Sequence, residues 1–236
     1  MAAMRTLVGV FVNASTTRAR VVGLGLLAVL TIALAIVVAG ADDADADAPG
    51  ELIDTLGLTL IVPIGSLLIA TATLGQLRSE GSLIYVWLRP VSRTAIAVSA
   101  WLAAIIVTLP AVVLPLSAAA AISGGGGELV VATALASAAG VLAYCGVFTL
   151  LGTVAKQAAI WGVVYVLIWE GVLAALGSGI NRLALRSYTR SILERVGDVD
   201  LPLSGTSTAV ALVVLLGVAA VSVGLTALRL RRIDVE

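Results

Sequence analysis

The sequence has no histidine, a single cysteine and few charged residues. Without histidine the chain cannot build a His-based catalytic site or a Cys/His zinc site. The one cysteine, Cys145, cannot form a disulfide within the chain. Charged residues make up 12% of the 236 residues, whereas about 25% is typical of a soluble domain. Together with a mean hydropathy of +1.13, this shortage of charge indicates a protein that crosses a membrane several times.

Lysine is almost as scarce, and its position excludes a nucleotide-binding P-loop. Such a loop needs a glycine-rich turn followed by Gly-Lys-Ser/Thr. The sole lysine, Lys156, follows Ala155, and the glycine run 124–127 leads into Glu128. No HExxH sequence occurs, and the 14 basic and 14 acidic residues balance, which gives no reason to expect nucleic-acid binding. We therefore predict no catalytic residue, no bound cofactor and no metal site in this chain.

Long apolar runs dominate the rest of the sequence. A helix that spans a bilayer needs about 20 predominantly apolar residues. Six segments meet this requirement, at about 21–40, 53–76, 95–122, 129–154, 158–177 and 208–228. The runs are continuous rather than alternating, which argues against a β-barrel. We predict an all-α, polytopic membrane protein in which residues 1–236 form one domain of six transmembrane helices.

The distribution of basic residues predicts the orientation of these helices. Arginines precede the first span, lie between the second and third spans and follow the sixth, and Lys156 lies between the fourth and fifth. All these connections share one side if the six helices alternate, and the positive-inside rule makes that side cytoplasmic. Both termini are then inside. The acidic run 41–51 and the loop 178–207 are outside, although the loop carries four arginines of its own: Arg182, Arg186, Arg190 and Arg195.

Two segments outside the predicted spans have amphipathic patterns. Residues 1–19 interleave apolar and polar residues before the first span, which predicts an interfacial helix. Residues 181–198 repeat apolar residues at near-helical spacing with arginines between them, which predicts one or two short helices at the outer surface, before the last span. A cap over the ends of the spans and a substrate-contacting surface are both compatible with this second pattern.

Glu170 is an acidic residue inside the fifth predicted span. Ionisable residues in the membrane are costly and by default suggest a functional site. Glu170 lies about 8 residues from the outer loop, or ~12 Å along a helix, so that a loop arginine or a helix end is within reach. We favour a structural partner of this kind over a proton or substrate site.

The segment RSEGSLIYVWLRPVSR, residues 78–93, connects the second and third predicted spans. Ser79 and Glu80 suit the start of a helix, Pro90 would end it, and Ser92 is placed to cap the third span. The pattern predicts a short helix parallel to the membrane on the cytoplasmic side. From the residues alone, an amphipathic connector and a docking element for a cytoplasmic partner are equally compatible with it.

This segment also resembles a family signature. The run Glu80-Gly81-Ser82-Leu83, followed by Leu88-Arg89-Pro90-Val91-Ser92-Arg93, is similar to the motif of type-2, exporter-type ABC transporter permeases. That motif has a glutamate, Gly-Thr/Ser-Leu, a hydrophobic stretch and Pro-Val-Ser-Arg, and Ser82 stands where threonine is common. In the family it lies between the second and third of six spans. The six spans, the inside termini and the helical outer loop extend the resemblance over the whole chain.

The resemblance implies a function and a set of partners. The chain would be the permease subunit of an ATP-driven exporter in the cell membrane, working with a second copy or a homologous permease. ATP and Mg²⁺ would be bound, and ATP hydrolysed, by a separate ATP-binding subunit. In the family the motif forms the coupling helix that docks on that subunit. The implied coupling helix region is 79–93, with partner-binding residues Glu80, Gly81, Ser82, Leu83, Tyr85, Trp87, Arg89, Pro90 and Arg93.

Two other functions are compatible with a polytopic chain. One is an ion-coupled secondary transporter that uses Glu170, which internal inverted repeats would support, although no convincing repeats occur. The other is a non-transporting membrane scaffold or assembly factor. An ATPase that co-purifies with the chain would distinguish the permease from both.

Overall fold

The structure is a computed structural model that describes residues 2–41, 47–79, 92–155, 157–172, 184–199, 201 and 206–232. All regular elements within these ranges are helices, and no strand occurs among them. Five of the helices are long and apolar enough to cross a membrane. The predicted all-α fold is therefore confirmed for the described residues, and its helices fit a multi-pass membrane protein. The fifth predicted span, 158–177, stays a prediction.

The helices follow the apolar runs of the sequence. In chain order the elements are α1 (Ala2–Ser15), α2 (Arg18–Ala39), α3 (Ala48–Leu52), the π-helical segment π1 (Ile53–Ile61), α4 (Val62–Ser79), α5 (Arg93–Ile122), α6 (Gly126–Val154), α7 (Ala158–Val164), the π-helical segment π2 (Tyr165–Val172), α8 (Leu185–Gly197) and α9 (Thr208–Arg232). The segments α3, π1 and α4 form one continuous helix. In the fifth predicted span, α7 and π2 form an apolar helix shorter than the five spanning candidates.

Helix α6 is the centre of the bundle, because small residues let its neighbours approach closely. Of its most apolar stretch 61% is buried, against 17% for α2, so that α2 lies at the periphery. A methyl group added at Gly152 would lie 2.9 Å from the Thr71 carbonyl oxygen of α4, and one at Gly146 would lie 3.1 Å from Ala219 Cα of α9. At both crossings glycine is needed for backbones to pack at this distance.

The π-helical segment π1 ends just before a proline in the second predicted span. The Val62 N–H donates to the Gly57 carbonyl, five residues back, and Pro63 follows with no N–H to donate. A proline in a helix removes one hydrogen bond and crowds the preceding turn. Local π adjustments are one way in which membrane helices accommodate such a residue. The wider register of π1 therefore lets the helix continue through Pro63.

Helix α1 packs on the ends of two long helices, α4 and α5. Leu7 and Phe11 of α1 are buried, and Phe11 is fully so. They form an apolar cluster with residues near the end of α4, the start of α5 and the end of α9: Leu74, Ile96, Ala97, Ala100, Ala103, Ala227 and Leu230. We call these nine residues the base cluster. It ties the N-terminal helix to the end of the bundle at which residues 80–91 connect α4 to α5.

Helix α8 lies at the opposite end of the bundle and packs against α6 in the antiparallel sense. A methyl group added at Gly197 would lie 3.1 Å from Ala132 Cβ, and one at Gly140 would lie 3.1 Å from Thr189 Cγ2. Gly140 is about 20 Å along α6 from its first residue, so the start of α8 reaches about halfway down α6. The sequence pattern predicted a helix at the outer surface, whereas α8 is inserted between other helices, with Thr189, Ile192 and Leu193 fully buried.

Candidate functional site

The predicted coupling helix lies almost entirely outside the described residues. This applies to Glu80, Gly81, Ser82, Leu83, Tyr85, Trp87, Arg89 and Pro90. Its two flanks are described: α4 ends at Ser79 and α5 begins at Arg93. Both flanking helices contribute to the base cluster, through Leu74 and Ile96. A force applied to residues 80–91 would therefore reach a packed region directly.

Ser92 caps the start of α5, as its sequence position predicted. Its Oγ accepts a hydrogen bond of 3.2 Å from the Ala95 N–H, and its backbone is extended, with φ −64° and ψ 143°. This geometry is the usual one for a serine that satisfies a free N–H in the first turn of a helix. The cap fixes the residue at which the chain leaves the segment 80–91 and enters α5.

Glu170 is fully buried and makes well-defined hydrogen bonds. Its Oε1 accepts from the Tyr165 hydroxyl at 2.9 Å and from the Leu185 N–H at 3.1 Å, and its Oε2 accepts from the Arg186 N–H at 3.0 Å. Leu185 and Arg186 are the first two residues of α8. The free N–H groups and the positive end of the dipole at a helix start attract a carboxylate. Glu170 thus caps α8 from another helix, which is one of the two structural partners expected for it.

A second buried carboxylate, Asp54, was not singled out by the sequence analysis. Asp54 lies in π1 and is 1% exposed. Its Oδ1 accepts from Arg190 Nε at 2.8 Å, and its Oδ2 accepts from Arg186 Nη2 at 3.3 Å and from Arg190 Nη2. Arg186 and Arg190 are four residues apart on α8, so their side chains lie on the same face. Asp54 is therefore held between two arginines.

We call Asp54, Glu170, Arg186 and Arg190 the α8 lock. Its two acidic residues belong to two different predicted spans, and its two arginines both belong to α8. Formal charges cancel within the group. Each carboxylate lies in a π-helical segment, a distortion that is frequent at functional sites. The lock joins α8 to the second and fifth predicted spans through ionic hydrogen bonds, which are among the stronger kind.

Aromatic rings position the hydroxyl that binds Glu170. Tyr144 and Phe148 of α6 stack with ring centroids 5.9 Å apart, and Phe148 meets Tyr165 edge to face at 6.2 Å. The Tyr144 hydroxyl also lies beside Glu170, so that two tyrosine hydroxyls of this aromatic group lie next to the carboxylate.

An open apolar groove of about 490 Å³ lies between α6 and the helix formed by α7 and π2. Its walls include Phe148, Leu151, Val154, Trp161 and Tyr165, and Trp161 is 60% exposed. In a protein that spans a membrane, such a surface is suited to contact with lipid chains, which are as apolar as these side chains. Tyr165 lines this groove and also donates its hydroxyl to Glu170, so that it connects the groove to the α8 lock.

Metal-ligating and thiol side chains are sparse among the described residues. No cluster of three or more metal-ligating side chains occurs among them. Cys145 is a free cysteine that is fully buried in α6, where it packs as a small apolar side chain. Across the described ranges, the α8 lock is thus the main concentration of buried charge.

No protein-family model matches the chain, and a search of curated proteins finds no match.

Proposed function

We propose that this chain is the membrane-spanning permease subunit of an ATP-driven exporter of the ABC type, in the cell membrane and with both termini in the cytoplasm. The observation that carries the proposal is the sequence of residues 80–93 and its position along the chain between α4 and α5. Its glutamate, its Gly-Ser-Leu and its Pro-Val-Ser-Arg lie between two long apolar helices. ATP and Mg²⁺ belong to a separate subunit docked on residues 79–93.

The packing around this segment supports a role in transmitting force. The chain runs from α4 through residues 80–91 into α5, whose first turn is capped by Ser92. Helices α4 and α5 meet α1 and α9 in the base cluster, and α4 crosses α6 at Gly75 and Gly152, where a methyl group added at Gly75 would lie 3.6 Å from the Gly152 carbonyl oxygen. A partner that moves residues 80–91 would act on closely packed helices, because such interiors are stiff and transmit strain.

The hydrogen bonds of Glu170 favour the permease over an ion-coupled transporter. A carboxylate that carries a proton or an ion through the membrane needs an open coordination position. The Glu170 carboxylate instead accepts from Tyr165 and from two backbone N–H groups of α8. Its contacts are those of a residue that anchors a helix.

Association with an ATP-binding subunit tests the proposal. The tagged chain is purified from its native membranes in mild detergent, as wild type and as the Glu80→Lys and Tyr85→Ala variants. The wild type should retain a polypeptide that has a P-loop and ATPase activity. Both variants should lose most of that polypeptide, because breaking a close charge pair or removing a central aromatic residue costs several kcal/mol at an interface.

A matched control uses the acidic residue of the connection between α5 and α6. Glu128 is exposed and lies at the end of the bundle opposite to residues 80–91, so Glu128→Lys makes the same charge change without touching the proposed interface. It should retain the ATP-binding subunit. Equal retention by wild type, Glu80→Lys and Tyr85→Ala, at equal membrane insertion, would show that residues 80–91 are only a connector.

A further inference from the structure

We infer that α8 is a releasable plug in the half of the bundle opposite to residues 80–91, and that the α8 lock holds it in place. Release here means that α8 leaves its position beside α6 as a unit while the rest of the bundle stays folded. This inference is independent of the proposed function, since it concerns contacts within one chain and needs neither ATP nor a partner subunit.

The first argument is that the charges of the lock are neutralised only when α8 is inserted. Asp54 and Glu170 are 1% and 0% exposed, while the side chains of Arg186 and Arg190 are 19% and 15% exposed. The acidic residues come from π1 and π2 and the basic residues from α8. Removing α8 would take both arginines from Asp54 and both backbone N–H donors from Glu170, which is very costly unless water replaces these donors.

The second argument concerns why such a contact is reversible. The attraction within a buried ion pair and the cost of removing its charges from water nearly cancel. Separated charges are stabilised by water, whereas separated apolar side chains are not. The lock therefore holds α8 firmly while this half of the bundle is dry, and it weakens when water reaches Asp54 and Glu170.

Thiol labelling at Thr189 measures release directly. Thr189 is fully buried and its Cγ2 lies close to Gly140 of α6, so a cysteine at this position reacts with a water-soluble maleimide only when α8 has moved away. The reporter is Thr189→Cys in a Cys145→Ala background, in native membrane vesicles. Asp54→Asn and Arg190→Gln should each raise its labelling rate by at least about tenfold, a shift of about 1.4 kcal/mol in the equilibrium between inserted and released α8.

Two controls separate release from other effects. Glu51→Gln removes an exposed acidic residue three positions before Asp54 and should leave the labelling rate unchanged. In a second set, the native Cys145 is the only cysteine and reports on the core around α6. It should stay unreactive in Asp54→Asn and Arg190→Gln, because the rest of the bundle keeps its packing.

Two results would overturn the inference. Labelling at position 189 that stays within about twofold of the reference in both lock variants would mean that apolar packing alone holds α8, since labelling of a transiently open state follows its population. Labelling of Cys145 that rises in parallel with position 189 would mean that the lock stabilises the whole bundle and that α8 does not move separately.

Discussion

The two ends of the bundle are held together in different ways. At the base cluster, α1 joins α4, α5 and α9 through side chains that are entirely apolar, from Leu7 and Phe11 to Ala227 and Leu230. At the other end, α8 is joined to π1 and π2 through four charged side chains and two backbone N–H groups. Both ends are buried, and among the described residues the fully buried acidic side chains lie at the α8 end.

This difference suggests that the two ends of the bundle have different roles. Apolar packing of alanine and leucine is not weakened by nearby water, because exposing apolar surface to water is unfavourable, and under the proposed function it suits an end that transmits movement from residues 80–91. Ionic contacts depend on how dry their surroundings are, and they suit the release that we infer for α8. The contrast can be tested by weakening each end separately and asking whether the other end responds.

The largest effect is expected at the base cluster. Phe11→Ala removes a fully buried ring from α1 and should lower the free energy of unfolding by about 3–5 kcal/mol, since the cavity it leaves is only partly refilled. Thermal or denaturant unfolding in detergent measures this loss. The labelling rate at position 189 should not change, because α8 makes no contribution to the base cluster.

Val10→Ala is the matched control for that change. Val10 is the neighbouring residue on α1 and is 42% exposed, so its truncation should alter the stability by no more than about 0.5 kcal/mol. If Phe11→Ala also raises the labelling rate at position 189, the base cluster and the α8 end are not stabilised separately.

A smaller effect is expected from neutralising the cap of α8. Glu170→Gln keeps an acceptor for the helix start and for Tyr165 but removes the negative charge, which should cost about 1–2 kcal/mol. The loss should appear at the α8 end, as faster labelling at position 189. An unchanged rate would mean that the charge of Glu170 does not stabilise the start of α8, and Glu128→Gln, which alters an exposed acidic residue, is the control.

The smallest effect is expected at the start of α5. Ser92→Ala removes the acceptor for the Ala95 N–H and should cost about 1 kcal/mol. Hydrogen exchange of the Ala95 amide should speed up, while Ser92→Asn, which keeps a capping acceptor, should restore slow exchange. Faster exchange throughout α5 in Ser92→Ala would show that the cap supports the base cluster as well as the first turn.

The sequence correctly predicted that the described residues fold as helices, five of them long and apolar, and it predicted some of the local contacts. Continuous apolar runs indicated the long helices, and Ser92 was recognised as a cap because capping depends on neighbouring residues alone. For Glu170 the position near the outer loop indicated a helix end or an arginine as partner, and the structure has it at the start of α8. These features are local, or follow from the distance along one helix.

The remaining features depend on distant parts of the chain. Asp54 is bound by arginines 132 and 136 residues away, a pairing that no local pattern of the sequence predicts. The one available signal was its resemblance to Glu170, as another acidic residue within the limits of a predicted span. The periodicity of residues 181–198 indicated an amphipathic helix but not whether its apolar face meets lipid or other helices, which the tertiary packing decides.

Site-specific photo-crosslinking from position 87 tests the central claim, that residues 79–93 dock on an ATP-binding subunit. A photoreactive amino acid replaces Trp87, and in a parallel chain it replaces Glu128 at the opposite end of the bundle. The account predicts that a P-loop polypeptide is captured from position 87, not from position 128, and that Glu80→Lys abolishes the capture. Capture of no ATP-binding polypeptide from position 87, or equal capture from both positions, would contradict it.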